Sequence, residues 1–134
     1  MRLLQSTFLG LAAGLVAYGA MPATPVLAAD NVIIIGAAVS FTGRYAVNGK
    51  HTKNGYDLAV ERVNSMGGVD VGGTAYMLEI KYYDDESTAA RGTQLVERLI
   101  QQDGVKLMLG PYSSGMTKAM APVAEKYKIP MVEA

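Results

Sequence analysis

The sequence predicts an α/β fold built on a doubly wound parallel sheet. An unbroken nonpolar run, rich in β-branched residues, covers residues 32–39, three amphipathic helical patterns follow it, and short apolar segments separate those patterns. The resulting order β-α-β-α-β-α-β, with short connections, is typical of parallel strands joined by right-handed helical crossovers. At 134 residues, of which 50% are hydrophobic and 18% charged, the chain can form one domain with its own core but not two.

The first strand and the first helix are predicted on either side of a polar loop. Residues 32–39 show no polar alternation, so this strand is expected to be buried on both faces. The helix after the loop has apolar residues at i, i+3, i+4 and i+7, and this stripe should face the sheet. Its members are Tyr56, Ala59, Val60 and Val63. Gly67 and Gly68 then supply the left-handed position at which a helix can end.

The strand and helix pattern repeats twice more. Residues 69–73 are expected to form a turn, residues 76–83 the second strand, and residues 105–109 the third. Ser87 is the expected N-cap of the second helix, which ends near Gly104. The later helices have apolar stripes of their own: Gly92, Leu95, Val96 and Leu99 in the second, and Met116, Ala119, Met120 and Val123 in the third.

The N-terminal segment has the pattern of a secretory signal peptide. Arg2 precedes a mostly apolar run over residues 8–21, and two prolines break this run before the small residues Ala28 and Ala29. We therefore predict a signal peptide over residues 1–29, cleaved near Ala28 or Ala29, and a mature protein in the periplasm. An uncleaved membrane anchor is the alternative, which the shortness of the run and its Gly and Ala content disfavour.

The mature segment is expected to be part of a larger lobe. Met131 and Val132 begin a fourth strand after Pro130, and the sequence stops within it. A sheet that ended there would have an unfinished edge without a covering helix. We therefore predict that residues 30–134 are the N-terminal part of a ligand-binding lobe. A free-standing small domain is the alternative.

Charge and composition exclude several functions. Lys and Arg total 12, Asp and Glu total 12, and neither sign is clustered, so no nucleic-acid partner is expected. There is no cysteine for a disulfide, a thiolate metal site or a nucleophile. The glycine motifs of nucleotide binding and the signatures of serine hydrolases and zinc proteases are missing. We predict a binding protein with no cofactor and no metal. An exported enzyme with Asp84 or Asp85 as a base is the disfavoured alternative.

Ligands of open parallel sheets bind beyond the carboxyl ends of the strands, which here are three loops. In the loop at 110–115, Ser113 and Ser114 come directly before a helix, where unpaired amides and the helix dipole favour an anion. We expect the carboxylate of a ligand to bind there. The alternative is that one of these serines only caps the helix.

The other two loops are less specific. In the loop at 40–50, Arg44, Tyr45 and Asn48 offer a cation, an aromatic ring and an amide that suit a small ligand, or else form an ordinary surface turn. The carboxylates at 84–86 suit a divalent metal in type, but adjacent residues rarely converge on one ion. Solvated acids or helix caps are the preferred interpretation. His51 has no partner at a useful spacing.

A series of short sequence pieces occurs in a fixed order along the mature chain. They are Ile35-Gly36, Phe41-Thr42-Gly43, Asn64 with Gly67-Gly68-Val69, Tyr83-Asp84-Asp85, Gln102-Asp103-Gly104-Val105, Gly110-Pro111-Tyr112-Ser113-Ser114-Gly115, Ala121-Pro122-Val123-Ala124 and Ile129-Pro130-Met131. Together they resemble the branched-chain amino acid type of periplasmic binding protein, with the class I fold. The resemblance covers nearly the whole mature stretch.

The resemblance implies a two-lobed receptor that closes on its ligand and presents it to ABC permease subunits in the inner membrane, as a monomer when complete. The implied ligand is a branched-chain amino acid or a related amino acid, amide or aromatic acid. Half of a cleft is expected to bind such a ligand very weakly. A sensory receptor of the same fold stays open as an alternative.

The resemblance also implies site residues. The family's serine loop binds the ligand's carboxylate or amino group, and the matching position is Ser114, with Ser113 and Tyr112 beside it. Tyr45 and Asn48 match the region of the family's aromatic residue after the first strand. This sequence departs from leucine-type members there, because Asn48 stands in place of a tryptophan and the preceding turn has arginine in place of a commoner proline.

Overall fold

Five strands and three helices follow one another in the computed structural model, which describes residues 31–133. Their bounds are β1 Val32–Val39, α1 Ala46–Ser65, β2 Val69–Val71, β3 Thr74–Asp84, α2 Ala89–Gln101, β4 Leu107–Leu109, α3 Ser114–Lys126 and β5 Met131–Val132. The predicted signal peptide lies outside the described residues. Among residues 31–133, none of the helices has the combination of length and hydrophobicity that a membrane span requires.

The strands form one sheet in the order β2-β3-β1-β4-β5. The strands β3, β1, β4 and β5 are parallel, with Val39 opposite Asp84 and Ala37 opposite Leu109. From β1 the chain moves outward to β3, then back across β1 to β4 and on to β5. Because such crossovers are right-handed, α1 covers one face and α2 and α3 cover the other. The predicted doubly wound α/β fold is confirmed.

The segment at 69–73, predicted as a turn, is instead a strand followed by a turn. Val69–Val71 forms β2, which pairs antiparallel with the start of β3. Gly72 and Gly73 make the two-residue connection with φ of 62° and 85°. Left-handed backbone at both positions is what a tight hairpin turn requires, and glycine adopts it without strain. The sheet is therefore mainly parallel with one antiparallel edge.

The core lies between the sheet and the pair α2 and α3. The predicted apolar positions of α2 are all buried, and Met116 and Met120 of α3 pack with them. From the sheet, Ala38 and Met108 complete this cluster. The strand β1 was predicted to be buried along its length, but only its second half is, because Val32 and Ile34 remain exposed.

Helix α1 covers the opposite face more loosely than predicted. Tyr56, Val60 and Val63 are half-buried against the sheet, but Ala59 is exposed. The side of α1 that comes closest to the rest of the protein contains Gly49, where a Cβ atom would lie 1.8 Å from the carbonyl oxygen of Ser40. At 100° per residue, positions 56 and 60 lie on the same side of the helix as Gly49, whereas Ala59 lies about 80° around the helix axis from Gly49.

Candidate functional site

The loops after β1 and β4 lie at the point where the sheet changes winding direction, because β1 leads to α1 on one face and β4 leads to α3 on the other. Tyr45 from the first loop meets Tyr112 from the second, with ring centroids 5.8 Å apart at an interplanar angle of 65°. This edge-to-face arrangement is a favourable aromatic contact. The two loops therefore support each other across the switch point.

A hydrogen bond from α1 fixes the second loop. The hydroxyl of Tyr56 donates to the carbonyl oxygen of Gly110 at 2.8 Å. Burial, with the negative charge of Glu133 as a smaller contribution, raises the pKa of Tyr56 to about 12. The hydroxyl therefore keeps its proton at neutral pH and stays a donor.

An open cleft of about 530 Å³ lies beside this loop. It is lined by Pro111, Tyr112, Ser113, Ser114, Thr117, Lys118 and Glu133. Three of the five predicted site residues, Tyr112, Ser113 and Ser114, are thus together in one cleft. Its size is in the usual range for pockets that hold small molecules.

The two serines have different positions at the start of α3. Ser113 is the N-cap, and its hydroxyl oxygen accepts a 3.4 Å hydrogen bond from the amide of Met116. Ser114 is exposed and is the first residue of the helix. Within residues 31–133, the amides of Ser114 and Gly115 donate no hydrogen bond. The capping interpretation therefore holds for Ser113, and the available donors are the amides and the Ser114 hydroxyl.

The other two predicted site residues lie outside the cleft wall. Tyr45 packs against Tyr112 but does not line the cleft, and the guanidinium of Arg44 lies 4.5 Å from the centroid of the Tyr45 ring. Asn48 is a half-buried residue of the first turn of α1 and does not line the cleft. The geometry makes Tyr45 a support for Tyr112 and leaves Asn48 without a described contact to the cleft.

Outside the loop at 110–115, the cleft contains three residues that sequence reasoning missed, Thr117, Lys118 and Glu133. Thr117 and Lys118 are three and four positions after Ser114, so they share its face of α3. Glu133 directly follows β5, at the carboxyl end where ligands bind. Helical spacing from Ser114 and the position of Glu133 after a strand were the signals available. The hydroxyl of Thr117 donates a hydrogen bond to the Glu133 carboxylate.

The acidic loop after β3 holds the loop after β1. One carboxylate oxygen of Asp84, Oδ1, accepts hydrogen bonds from the amides of Phe41 at 2.9 Å and Thr42 at 3.3 Å, and Oδ2 accepts from the Thr42 hydroxyl at 2.7 Å. Burial acts against the charged form, but the hydrogen bonds from Thr42, Glu86 and Phe41 outweigh it and lower the pKa of Asp84. Asp84 is thus not simply solvated, because its carboxylate holds the loop after β1.

Asp85 is fully buried in the same loop. Its Oδ1 accepts a 2.6 Å bond from the Ser40 hydroxyl and a 2.8 Å bond from the Ser87 amide. Its Oδ2 has no hydrogen-bond partner within residues 31–133. Burial, together with the charge of Asp84, raises the pKa of Asp85 despite these hydrogen bonds. A base for catalysis would need access to a substrate, which this carboxyl lacks.

Ser87 does not cap α2 as predicted. It has a left-handed backbone with φ of 58°, and Thr88 is the N-cap, without a side-chain capping bond. The Ser87 hydroxyl donates to the carbonyl oxygen of Thr42 at 2.6 Å and accepts from the amide of Tyr45 at 3.0 Å. The side chain crosses to the neighbouring loop and fixes the residue that supports Tyr112. Among residues 31–133, no group of three or more acidic, His or Cys side chains is placed to hold a metal ion.

Comparison with known proteins identifies the chain's relatives. Residues 32–134 match the family described as periplasmic binding protein. The Leu/Ile/Val-binding protein homolog 8 of Brucella suis biovar 1 (strain 1330) is 33% identical over 114 residues, which are 85% of this chain and 27% of that protein. The Leu/Ile/Val-binding protein BraC3 of Rhizobium johnstonii is 31% identical over 100 residues, or 75% of this chain and 26% of that protein.

Solved structures share the fold. The branched-chain amino acid transporter substrate binding protein LivJ of Streptococcus pneumoniae, in complex with isoleucine, has a TM-score of 0.70 at 30% identity over 76% of this chain and 28% of its own. A solute binding protein of an ABC transporter from R. palustris, in complex with benzoate, has a TM-score of 0.63 at 29% identity over 76% of this chain and 27% of its own.

The chain thus spans about a quarter of the length of its curated relatives. The match begins with β1 and extends through every described strand and helix. Over residues 32–134, this chain belongs to the periplasmic binding protein family.

Proposed function

We propose that this chain forms the N-terminal part of the first lobe of an exported solute-binding protein, which captures a branched-chain amino acid or a related small carboxylate for an ABC importer. The Leu/Ile/Val-binding names of the curated relatives support this function. Two related structures hold isoleucine and benzoate. A carboxylate is the group that these two ligands share, so it is the group that the cleft has to recognise.

The observation that carries the proposal is the start of α3 in the cleft. Ser114 and Gly115 have amides without a partner in the described part of the chain, and Ser114 adds a hydroxyl. These donors lie at the positive end of the helix dipole, where a carboxylate is favoured. The donors are neutral, so they hold an anion without the strength of a fully charged partner. Binding of this intermediate strength allows the ligand to be released again.

In this proposal the ligand is released chemically unchanged. Asp84 and Asp85, the carboxylates considered as a base, are occupied by hydrogen bonds to the loop after β1. We place the rest of the binding site in a second lobe, because the chain spans about a quarter of its relatives. Ligand contacts made to both lobes at once would favour the closed state.

We further propose that residues 1–29 direct export to the periplasm and are removed after Ala28 or Ala29. The apolar run followed by small residues supports this assignment. N-terminal sequencing of the protein recovered from the periplasm tests it. A mature protein that begins at Ala29 or Asp30 is the expected result, and an intact Met1 would contradict the proposal.

A substitution pair at Ser114 tests the function in the mature full-length protein. A thermal-shift screen of amino acids, amides and aromatic acids first finds the ligand, because a ligand of the native state raises Tm. Ser114→Ala removes only the hydroxyl, whereas Ser114→Pro also removes the amide N–H at a helix position that tolerates proline. We expect calorimetric affinity to fall roughly 3-fold for alanine and roughly 10- to 100-fold for proline.

Ser65→Ala is the matched control for these variants. Its hydroxyl donates to the carbonyl oxygen of Arg62 at the end of α1 and does not line the cleft. Ligand affinity should therefore be unchanged in this variant. Wild-type affinity in a folded Ser114→Pro variant would contradict the proposed carboxylate site.

A further inference from the structure

Ser87 joins the loop after β3 to the loop after β1 without lining the cleft. Its side chain is buried, and its hydroxyl donates to the carbonyl oxygen of Thr42 at 2.6 Å and accepts from the amide of Tyr45 at 3.0 Å. The amide of Ser87 in turn donates to Asp85 Oδ1 at 2.8 Å. The junction is also tightly packed, because a Cβ atom at Gly43 would lie 2.7 Å from the Ser87 Oγ. The loop after β3 thus fixes the backbone at Tyr45.

Tyr45 connects this junction to the cleft wall. Its ring meets the Tyr112 ring edge to face, and the Arg44 guanidinium lies 4.5 Å from the centroid of the Tyr45 ring. Tyr112 lines the cleft and comes directly before the N-cap Ser113 and the first helical residue, Ser114. A displacement of Tyr112 therefore also displaces the backbone that carries the proposed carboxylate donors.

The loop after β4 has little other restraint at its centre. At its first residue, Gly110, the carbonyl oxygen accepts from the Tyr56 hydroxyl and the amide donates to the Val132 carbonyl oxygen. The amide of Tyr112, by contrast, donates no backbone hydrogen bond within residues 31–133. The contact of its ring with Tyr45 is therefore a restraint that no amide hydrogen bond duplicates at this position.

We propose that Ser87 is a positioning residue of the ligand site, and that its hydroxyl, acting through Tyr45 and Tyr112, helps to set the affinity of the cleft. This inference rests on the proposed function, in which the start of α3 takes the ligand's carboxylate. Ser87 itself does not contact the ligand. It restricts the loop after β4 to the conformation that binds, so less conformational freedom is lost on binding.

Two substitutions at Ser87 separate this role from a general contribution to stability. The residue has φ of 58°, which glycine adopts readily and alanine does not. Both Ser87→Gly and Ser87→Ala remove the hydroxyl, but only the alanine variant keeps the backbone strain. We expect ligand affinity to fall equally in both variants, by roughly 3- to 10-fold. Thermal unfolding should nevertheless give the glycine variant the higher Tm.

Affinities are measured by calorimetry in the mature full-length protein. Leucine, isoleucine, valine and benzoate are the probes, and the variants are compared with the probe that wild type binds most tightly. Thr93→Val is the matched control. The Thr93 hydroxyl also donates to backbone carbonyl oxygens, those of Ala89 and Ala90 in α2, and it lies outside the cleft. This variant should bind the probe as wild type does.

A double-mutant cycle tests the connection through Tyr45. Tyr45→Leu removes the ring that meets Tyr112 but keeps the amide that donates to Ser87, so it should weaken ligand binding by itself. Because Ser87 acts through this ring, the double variant Ser87→Gly/Tyr45→Leu should bind no more weakly than Tyr45→Leu alone. Proton NMR gives a second readout: the ring resonances of Tyr112, assigned with Tyr112→Phe, should shift in Ser87→Gly.

The outcomes separate this inference from the function on which it rests. Three results overturn the role of Ser87 and leave carboxylate capture in place: wild-type affinity in Ser87→Gly, a loss of affinity that follows Tm in the two Ser87 variants, or additive losses in the double variant. Absence of wild-type binding for all four probes overturns the proposed function and this inference with it.

Discussion

The hydroxyl of Ser40 donates a 2.6 Å hydrogen bond to Asp85, which joins the chain just after β1 to the chain just after β3. The neighbouring Asp84 binds the next two amides of the same loop. Two adjacent carboxyl groups thus hold one loop, but in different environments. Asp84 is partly exposed with four donors, and Asp85 is fully buried with two.

The two carboxyl groups should titrate on opposite sides of the ordinary aspartate pKa of 3.8, with Asp84 below it and Asp85 above it. Asp84 therefore contributes stability above the unfolded pKa, and this contribution is lost as the pH falls through its folded pKa. For Asp85 the sign is reversed: its contribution is present below the unfolded pKa and is lost as the pH rises through its folded pKa.

Carboxyl carbon NMR measures both pKa values in the full-length protein, and urea unfolding between pH 3 and pH 7 measures the linked stability. We expect Asp85→Asn to gain in free energy of unfolding relative to wild type as the pH rises above the unfolded pKa. Asp84→Asn should instead lose relative to wild type at lower pH, as the pH rises from the folded pKa of Asp84 to the unfolded pKa. Parallel pH profiles for the two variants would contradict the different environments of the two groups.

Gly49→Ala should destabilise the protein by about 3 kcal/mol or more, because a Cβ atom there would lie 1.8 Å from the Ser40 carbonyl oxygen. Gly55→Ala in the same helix is the control, since a Cβ atom there meets nothing within 4 Å. That variant should gain about 0.5–1 kcal/mol from helix propensity. Chemical denaturation compares the two, and similar free energies of unfolding would show that α1 does not approach the loop so closely.

Ser113→Gly should be more stable than Ser113→Ala by about 1 kcal/mol. Ser113 has φ of 86°, a backbone region that glycine adopts readily and other residues do not. Alanine keeps this strain and loses the cap, whereas glycine loses the cap but relieves the strain. Thermal unfolding of both variants gives the difference. An alanine variant as stable as the glycine variant would show that the strain is absent in solution.

Much of the fold could be predicted because hydrophobic periodicity is local. The helix stripe of Leu95, Val96 and Leu99 determines which face is buried, and all three residues are in the core. Two consecutive glycines also indicate the hairpin at Gly72, of which the sequence predicts only the turn. Helix α1 was predicted less well, since its contact line depends on how closely Gly49 approaches a loop.

The site could be predicted only where one segment forms it. Tyr112, Ser113 and Ser114 are consecutive and enter the cleft together. Glu133 joins them through β5, and Asp84 contacts Phe41 across 43 positions of sequence. Such pairs depend on strand order and register, which no local pattern of a single sequence contains.

The antiparallel strand β2 forms the outer edge of the sheet beside the start of β3. It is three residues long, carries Asp70 at its centre and ends in a glycine turn. An extended segment from another molecule would find a very short ladder there, with a negative charge beside it. Edges of this kind resist intermolecular β-pairing, so the hairpin protects this edge of the sheet over residues 74–76 of β3, with which β2 pairs.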